Sequence, residues 1–269
     1  MAASPALVIG AALTAALLLA VAVSLVWTPW PVAGIDMAGR LLPPGSAGHW
    51  LGTDAYGRDV GSLLLAGARV SLWAGVVAVA MGLVMGAGLG LIAAVRTGWV
   101  DEFIMRCTDF GFAFPALLTA ILLAAVYGPG LTVAIVAVGL YNIPVFARVT
   151  RAAAGQIWHR DYVRAARALG RGTTAITVHH VLPNILPALT VQATIRFAIA
   201  ILAEAALSYL GLGAQPPQPS WGRMLAEAQT LMFDAPWLAV WPGLAIALAV
   251  LGLNLLGDGL RDGWDPKLK

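Results

Sequence analysis

The residues able to do chemistry in this chain are few, and arginine is the commonest charged type among them. Arg148, Arg151, Arg160, Arg164, Arg167 and Arg171 fall in one stretch that holds a single acid, Asp161. Guanidinium groups stay charged and bind carboxylates, phosphates and lipid headgroups, so the cluster points to docking on a partner or a membrane surface, not to proton transfer. Groups that could catalyse are poorly arranged. His179 and His180 are adjacent, so on a helix their side chains diverge by about 100° and make a poor metal pair. Cys107 is the only cysteine, which leaves no CxxC redox motif and no multi-cysteine zinc site. Ser46 lies in Gly-Ser-Ala-Gly-His, not in the GxSxG of a nucleophile elbow. An intramembrane aspartyl enzyme would use Asp109 and Asp258 as acid and base. Asp258, however, follows Asn-Leu-Leu-Gly and not a GxGD arrangement, and Arg106 and Arg261 stand near the two acids. The only lysines are Lys267 and Lys269, so no GxxxxGK[ST] loop is present to hold ATP.

The elements that position these groups must live in a bilayer. Of 269 residues, 60% are hydrophobic and 11% charged, where a soluble domain has roughly a quarter charged. A net charge of +3 leaves no surface built for nucleic acid. Apolar runs at about 6–27, 70–95, 103–127, 131–147, 188–212 and 237–260 each approach the ~20 residues that cross a hydrocarbon core about 30 Å thick. No Lys or Arg precedes the first run as the basic segment of a cleaved signal peptide would require, so it reads as a retained transmembrane helix. The fold class is therefore all-α integral membrane, with six transmembrane helices in one domain over residues 1–269.

Basic residues concentrate in cytoplasmic loops. The Arg-rich segment 148–187 is read as cytoplasmic, together with Arg96, Arg261, Lys267 and Lys269, which puts both termini inside. Segments 28–69 and 213–236 balance Arg40, Arg58, Arg69 and Arg223 with Asp36, Asp54, Asp59, Glu227 and Asp234, and so read as external. Trp27, Trp30, Trp237 and Trp241 then cluster near the outer boundary, where amphipathic rings settle. Gly82, Gly86 and Gly90 recur every four residues, share a helix face and predict close helix packing.

Within the cytoplasmic segment, Tyr162, Ala165, Ala166 and Leu169 fall on one helix face and Arg160, Arg164, Arg167 and Arg171 on the other. Gly170 is a stop, Thr173 or Thr174 can cap a second short helix, and Pro183 and Pro187 interrupt it before the fifth span. Such a basic helix can lie on anionic membrane lipid. Charges inside spans pair or line a wet path. Arg106 and Asp109, three residues apart, are expected to pair with each other near the cytoplasmic end. Glu204 has one local basic candidate, Arg196, two turns earlier. Glu204, Arg196, Asn142, Arg106 and Asp109 are thus the candidates for a pathway or gate, each with a structural alternative. Asp54, Arg58 and Asp59 either face an external partner or pair among themselves and with Arg69 to order the loop.

The stretch from Arg164 resembles the EAA loop of ABC importer permeases: Glu-Ala-Ala, three residues, Gly, nine residues, Ile-x-Leu-Pro. Ala165, Ala166, Gly170, Leu182 and Pro183 match at that spacing, whereas Arg164 replaces the acid and His180 the isoleucine. Leu51–Leu72, with Gly52, Thr53, Asp54, Gly57, Arg58, Asp59, Gly67, Arg69, Ser71 and Leu72, is similar to the signature of the second-type permease of dipeptide, oligopeptide and nickel importers. Met105–Leu118, Glu204–Gly222 and Asn254–Pro266 look like the same family, so the likeness runs from about residue 36 to the carboxyl end. The resemblance implies a type I ABC importer permease in a bacterial or archaeal inner membrane, with the EAA loop as a coupling helix. It implies a homologous first permease, two ATP-binding subunits carrying ATP and Mg, and an extracytoplasmic binding protein; no cofactor is expected in this chain. Tyr162, Arg164, Ala165, Ala166, Leu169, Gly170, Leu182 and Pro183 would then couple to the ATPase. Di- and oligopeptides are the expected substrates, with nickel, a metal chelate or glutathione as alternatives.

Overall fold

The computed structural model describes residues 4–46 and 48–264. Lys267, Lys269 and the last two residues of the Asn254–Pro266 block lie outside them. The described residues form ten α-helices: α1 Pro5–Val26, α2 Val60–Val95, α3 Trp99–Ala113, α4 Ala116–Tyr127, α5 Leu131–Trp158, α6 Asp161–Ala168, α7 Thr173–Ile176, α8 Leu182–Tyr209, α9 Trp221–Ala228 and α10 Trp237–Trp264. Five segments are long and apolar enough to cross a membrane, α1, α2, α5, α7 to α8 as one, and α10; the bent pair α3 and α4 makes a sixth if counted as one span.

Four expected boundaries move. The third span is not one helix over 103–127: α3 and α4 meet at 79°. Pro115 lacks an N–H and disfavours helical backbone at the residue before it, so Phe114 is extended at φ −105°, ψ 106°. The second helix begins at Val60, ten residues before the apolar run. Its 36 residues make about 54 Å of helix, longer than the hydrocarbon core is thick. Asp59 starts it, the carboxylate accepting the Ser62 amide at 2.7 Å and the Ser62 hydroxyl at 2.9 Å. The fourth helix runs on from Ala147 to Trp158, so Arg148 and Arg151 belong to α5 and not to a loop. Pro183 and Pro187 do not interrupt the fifth. Pro183 sits in the first turn of α8 and Pro187 inside it, and a π-helical turn, Thr177–Val181, leads in from α7. The residue capping α7 is Gly172, with no side-chain bond, not Thr173 or Thr174.

Two seams of small residues hold the bundle. Along α2, a Cβ added at Gly82 would strike Asn142, one at Gly86 the Ile143 carbonyl and Phe146, and one at Gly90 the Ala147 carbonyl and Thr150. The four-residue glycine spacing thus brings α2 onto α5 backbone to backbone. On α10, Gly252 receives Leu13 and Gly259 receives Leu7, while Gly10 of α1 lies on Leu255 and Leu256. Leu18, Leu19, Leu25 and Val26 of α1 remain exposed, as lipid-facing residues should be.

Most of the arginines gather at one end. Arg96 shares a cleft with Thr173 and Thr177, Arg151 reaches Asp101 of α3, and Arg261 lines a cleft with Asn184 and Val149. The loop before α2, α9 and Trp237 lie at the opposite end.

Candidate coupling and translocation sites

At the arginine end, α6 is an eight-residue helix closed by a Schellman motif. The Arg171 amide donates to the Ala166 carbonyl at 3.1 Å and the Gly170 amide to the Arg167 carbonyl at 2.9 Å. Gly170 takes φ +79°, a conformation that costs a residue with a side chain about 1–2 kcal/mol. The helix is fastened to the bundle by Val163 and Ala166, which pack into one apolar cluster with Trp158, Ile176, Val181 and Ile185. The guanidinium of Arg167 lies 5.3 Å from the Trp158 ring centre.

This seating splits the expected apolar face. Ala166 turns inward beside Val163, a residue that the face assignment overlooked. Tyr162, Ala165 and Leu169 stay exposed, Leu169 at 85%. The inward pair is three residues apart, a spacing that could have revealed it. Arg164 is exposed too, 3.8 Å from Asp161 in a solvated pair that is worth little. Leu182 packs at the edge of the cluster and Pro183 is exposed. Tyr162 meets His180 edge to face with centroids 6.1 Å apart. The outer surface of α6 is therefore an apolar tyrosine and leucine patch flanked by exposed guanidinium groups.

On α3, the expected pair of Arg106 with Asp109 does not form. Arg106 faces Glu102 at 3.6 Å, one turn back and exposed. Asp109 takes Arg148 of α5 instead, whose guanidinium also covers the Phe112 ring at 4.4 Å. Asp101, in the first turn of α3, takes two of the guanidinium nitrogens of Arg151, Nε and Nη2. Partners 39 and 50 residues apart in sequence are decided by the packing of α3 on α5, which local spacing does not report.

Glu204 does not meet Arg196 either. It is 2% exposed, and its Oε1 accepts the Ser208 hydroxyl at 2.6 Å. Ser208 in turn accepts the Ala214 amide at 2.9 Å. Ser71 of α2 and Ser220 stand around the carboxyl group, and the Trp221 amide donates to Ser71 at 3.4 Å. Glu204 is thus tied to α8 through Ser208, while its Oε2 is buried without a hydrogen-bond partner. Asn142 is buried against Gly82, at the α2 seam. Arg196, near the middle of α8, is only partly covered, its Nε has no hydrogen-bond partner, and Tyr141 of α5 lies in its vicinity. A lone charge at that depth costs several kcal/mol on insertion scales.

At the far end, Asp54 and Arg58 pair at 2.6 Å, and Asp54 also accepts the Tyr56 and Arg58 amides at 2.8 and 2.9 Å. Arg58 continues to Glu227 of α9 at 2.9 Å, and Glu227 to Arg223 at 2.9 Å. Asp59, besides capping α2, is 3.0 Å from His49 Nδ1, and His49 stacks on Trp30 at 4.9 Å. Arg69 joins neither acid; it reaches the Ser24 carbonyl at 3.4 Å. Asp54, Tyr56 and Glu227 rim a pocket of about 300 Å³ floored by Val60, Leu63 and Leu238.

The backbone resembles a solved transporter subunit. Chains from inward-facing conformations of the MetNI methionine ABC transporter superpose with a TM-score of 0.63 at 22% identity, over 74% of this chain and 95% of theirs. Residues 86–269 match the family described as "Binding-protein-dependent transport system inner membrane component". The chain belongs to that family. It is the permease subunit of an ABC importer. The permease is 45% identical over 237 residues to the "Dipeptide transport system permease protein DppC" of Alkalihalophilus pseudofirmus, covering 88% of this chain and 78% of that one. It is 46% identical over 230 residues to the "Glutathione transport system permease protein GsiD" of Pectobacterium atrosepticum, covering 86% and 76%. With GsiD of Escherichia coli O157:H7 the identity is 44% over 260 residues, covering 96% and 86%. The permease is thus a multi-span protein of a bacterial type of inner-membrane system, and α6 is the segment in it that carries the EAA-like spacing.

Proposed function

We propose that this permease forms half of an ATP-driven import path for short peptides, delivered by an extracytoplasmic binding protein and completed by a homologous first permease. The observation that carries the reading is α6: a helix riveted to α5 and α8 on one side, with Tyr162, Ala165 and Leu169 left uncovered on the other. A rigid knob with an exposed apolar tip suits a cleft on an ATP-binding subunit, and it would pass closure of that cleft to α5 and α8 as a rigid-body movement. Arg164, Gly170, Leu182 and Pro183 complete the coupling surface.

The energy comes from elsewhere. With no phosphate loop in the chain, ATP and Mg belong on two partner subunits. The excess of arginine at the α6 end supports a cytoplasmic position for that end and for both termini; the pocket rimmed by Asp54 and Glu227 would then face the binding protein. Peptides are favoured as substrates because relatives of nearly equal similarity are named for dipeptide and for glutathione, both short and carboxylate-bearing. Nickel or a chelate remains the second reading, on the likeness of Leu51–Leu72 to permeases of that wider family.

The test is Gly170→Val in the reconstituted importer. Strain at a left-handed position should misplace α6, so that ATP hydrolysis continues while peptide uptake falls at least tenfold and membrane insertion is normal. Normal uptake by this variant would overturn the coupling assignment.

A further inference from the structure

Arg196, near the middle of α8, is set apart from Arg69 of α2 and from Arg148 and Arg151 of α5. Arg148 and Arg151 each take a carboxylate of α3, and Arg69 reaches a main-chain carbonyl. Arg196 takes none: among the described residues no acid pairs with it, and its Nε is buried without a hydrogen-bond partner. The nearest acid on its own helix, Glu204, is buried and engaged by Ser208.

Its place on the helix is also distinctive. Ile199, Leu202 and Ala206 mark the side of α8 that this chain leaves uncovered, and Arg196 stands at the margin of that side, next to α5. Tyr141 on α5 is its neighbour there, and Tyr141 lies edge to face with Phe112 at 6.1 Å, the ring under Arg148. The half-buried rings of Tyr141 and Phe112 thus flank the surface on which the uncovered side of α8 lies. Arg148 is already neutralised on it by Asp109; Arg196 is its unmatched positive charge.

A guanidinium at this depth with no acid beside it is suited to a carboxylate from outside the chain, since it presents a planar fork of donors that a carboxylate fills. We infer that Arg196 receives the free carboxylate of the substrate as it moves along this surface, and so selects anionic substrates at the permease itself. This rests on the peptide-import reading above. The carboxylate fits because each α-linked peptide ends in one, and because a charge met only in passing leaves the site able to release it.

The experiment uses the complete importer in proteoliposomes with saturating loaded binding protein. Uptake of a tripeptide acid is compared with uptake of its C-terminal amide, in the wild type and in Arg196→Gln and Arg196→Lys. The binding protein is the same throughout, so a change in the acid-to-amide ratio reports on the permease. The expected result is a wild-type preference of about tenfold or more for the acid, falling to near unity in Arg196→Gln through lost acid uptake, with partial recovery in Arg196→Lys. An unchanged ratio in Arg196→Gln overturns the inference. So does loss of the two-permease complex in Arg196→Gln, which would assign the carboxylate to the partner permease. A wild-type importer that takes up neither peptide form, yet takes up a metal chelate, would overturn the peptide reading itself and is recognised without any variant.

Discussion

Arg58 Nη2 lies 2.9 Å from Glu227 Oε2, joining the loop before α2 to α9 across 169 residues of sequence. The same carboxylate takes Arg223 through its other oxygen, and Arg58 is held from behind by Asp54. Four charges alternate in sign along one line, so each guanidinium is oriented before it meets its next partner. The arrangement fixes the outer pocket to the top of α2.

Removing Glu227 therefore leaves two arginines facing each other in a half-buried site. Glu227→Ala is expected to destabilise the permease by about 1–3 kcal/mol. A double-mutant cycle with Arg58→Ala should show coupling of about 1 kcal/mol or more. Thermal unfolding of the complex in detergent measures both, and additive single effects would show that the line of charges is not cooperative.

The α2 seam makes a sharper contrast between neighbouring glycines. Gly86 has the Ile143 carbonyl and Phe146 where its Cβ would go, whereas Gly88 has nothing within 4 Å. Gly86→Val should lose at least 1–3 kcal/mol by overpacking and lower the yield of folded protein. Gly88→Ala should be neutral or stabilise by about 0.5–1 kcal/mol, since alanine is the better helix former. Detergent melting curves of the two variants test the pair, and equal losses would deny that the seam is what closes α2 on α5.

On α6, the inward and outward residues should fail in different ways. Val163 is fully buried, so Val163→Ala should lower stability by about 1–2 kcal/mol and leave residual transport in proportion to folded protein. Leu169→Asp touches only the exposed tip; it should melt like the wild type yet lose stimulation of ATP hydrolysis by loaded binding protein. Measuring that stimulation beside the melting temperature separates the two, and a Leu169→Asp variant with wild-type stimulation would remove the tip from the coupling surface.

For Glu204, shape and hydrogen bonding should matter more than charge. The carboxyl group is engaged by Ser208 in a buried site among Ser71 and Ser220. Glu204→Gln keeps a carbonyl acceptor for Ser208 and should retain most uptake, while Glu204→Leu leaves the buried hydroxyl of Ser208 short of its acceptor at a cost of about 1–3 kcal/mol. Uptake assays with folded-protein yields decide between a structural knot and a gate; loss of uptake in Glu204→Gln at normal yield would restore the gate.

Residue order alone determined the solvent, the approximate spans, the arginine end and the helix, glycine, helix form of the coupling segment. Each of these rests on composition or on spacings of three and four residues, which act within a turn or two of helix. The glycine series of α2 was legible for the same reason, although its partner helix was not. The break at Pro115 was also local, yet an apolar run reads continuously through it because hydropathy ignores φ. What the tertiary structure decided is which charges meet. Asp109 takes Arg148 and not Arg106, Arg58 finds Glu227, Glu204 is enclosed by serines, Val163 turns inward in place of Tyr162, and Arg196 is left without an acid. The pairing of Asp109 with Arg148 and of Arg58 with Glu227 turns on groups brought together from distant parts of the chain. In a medium with little water to screen or solvate them, the packing of whole helices chooses the partner that each charge must have.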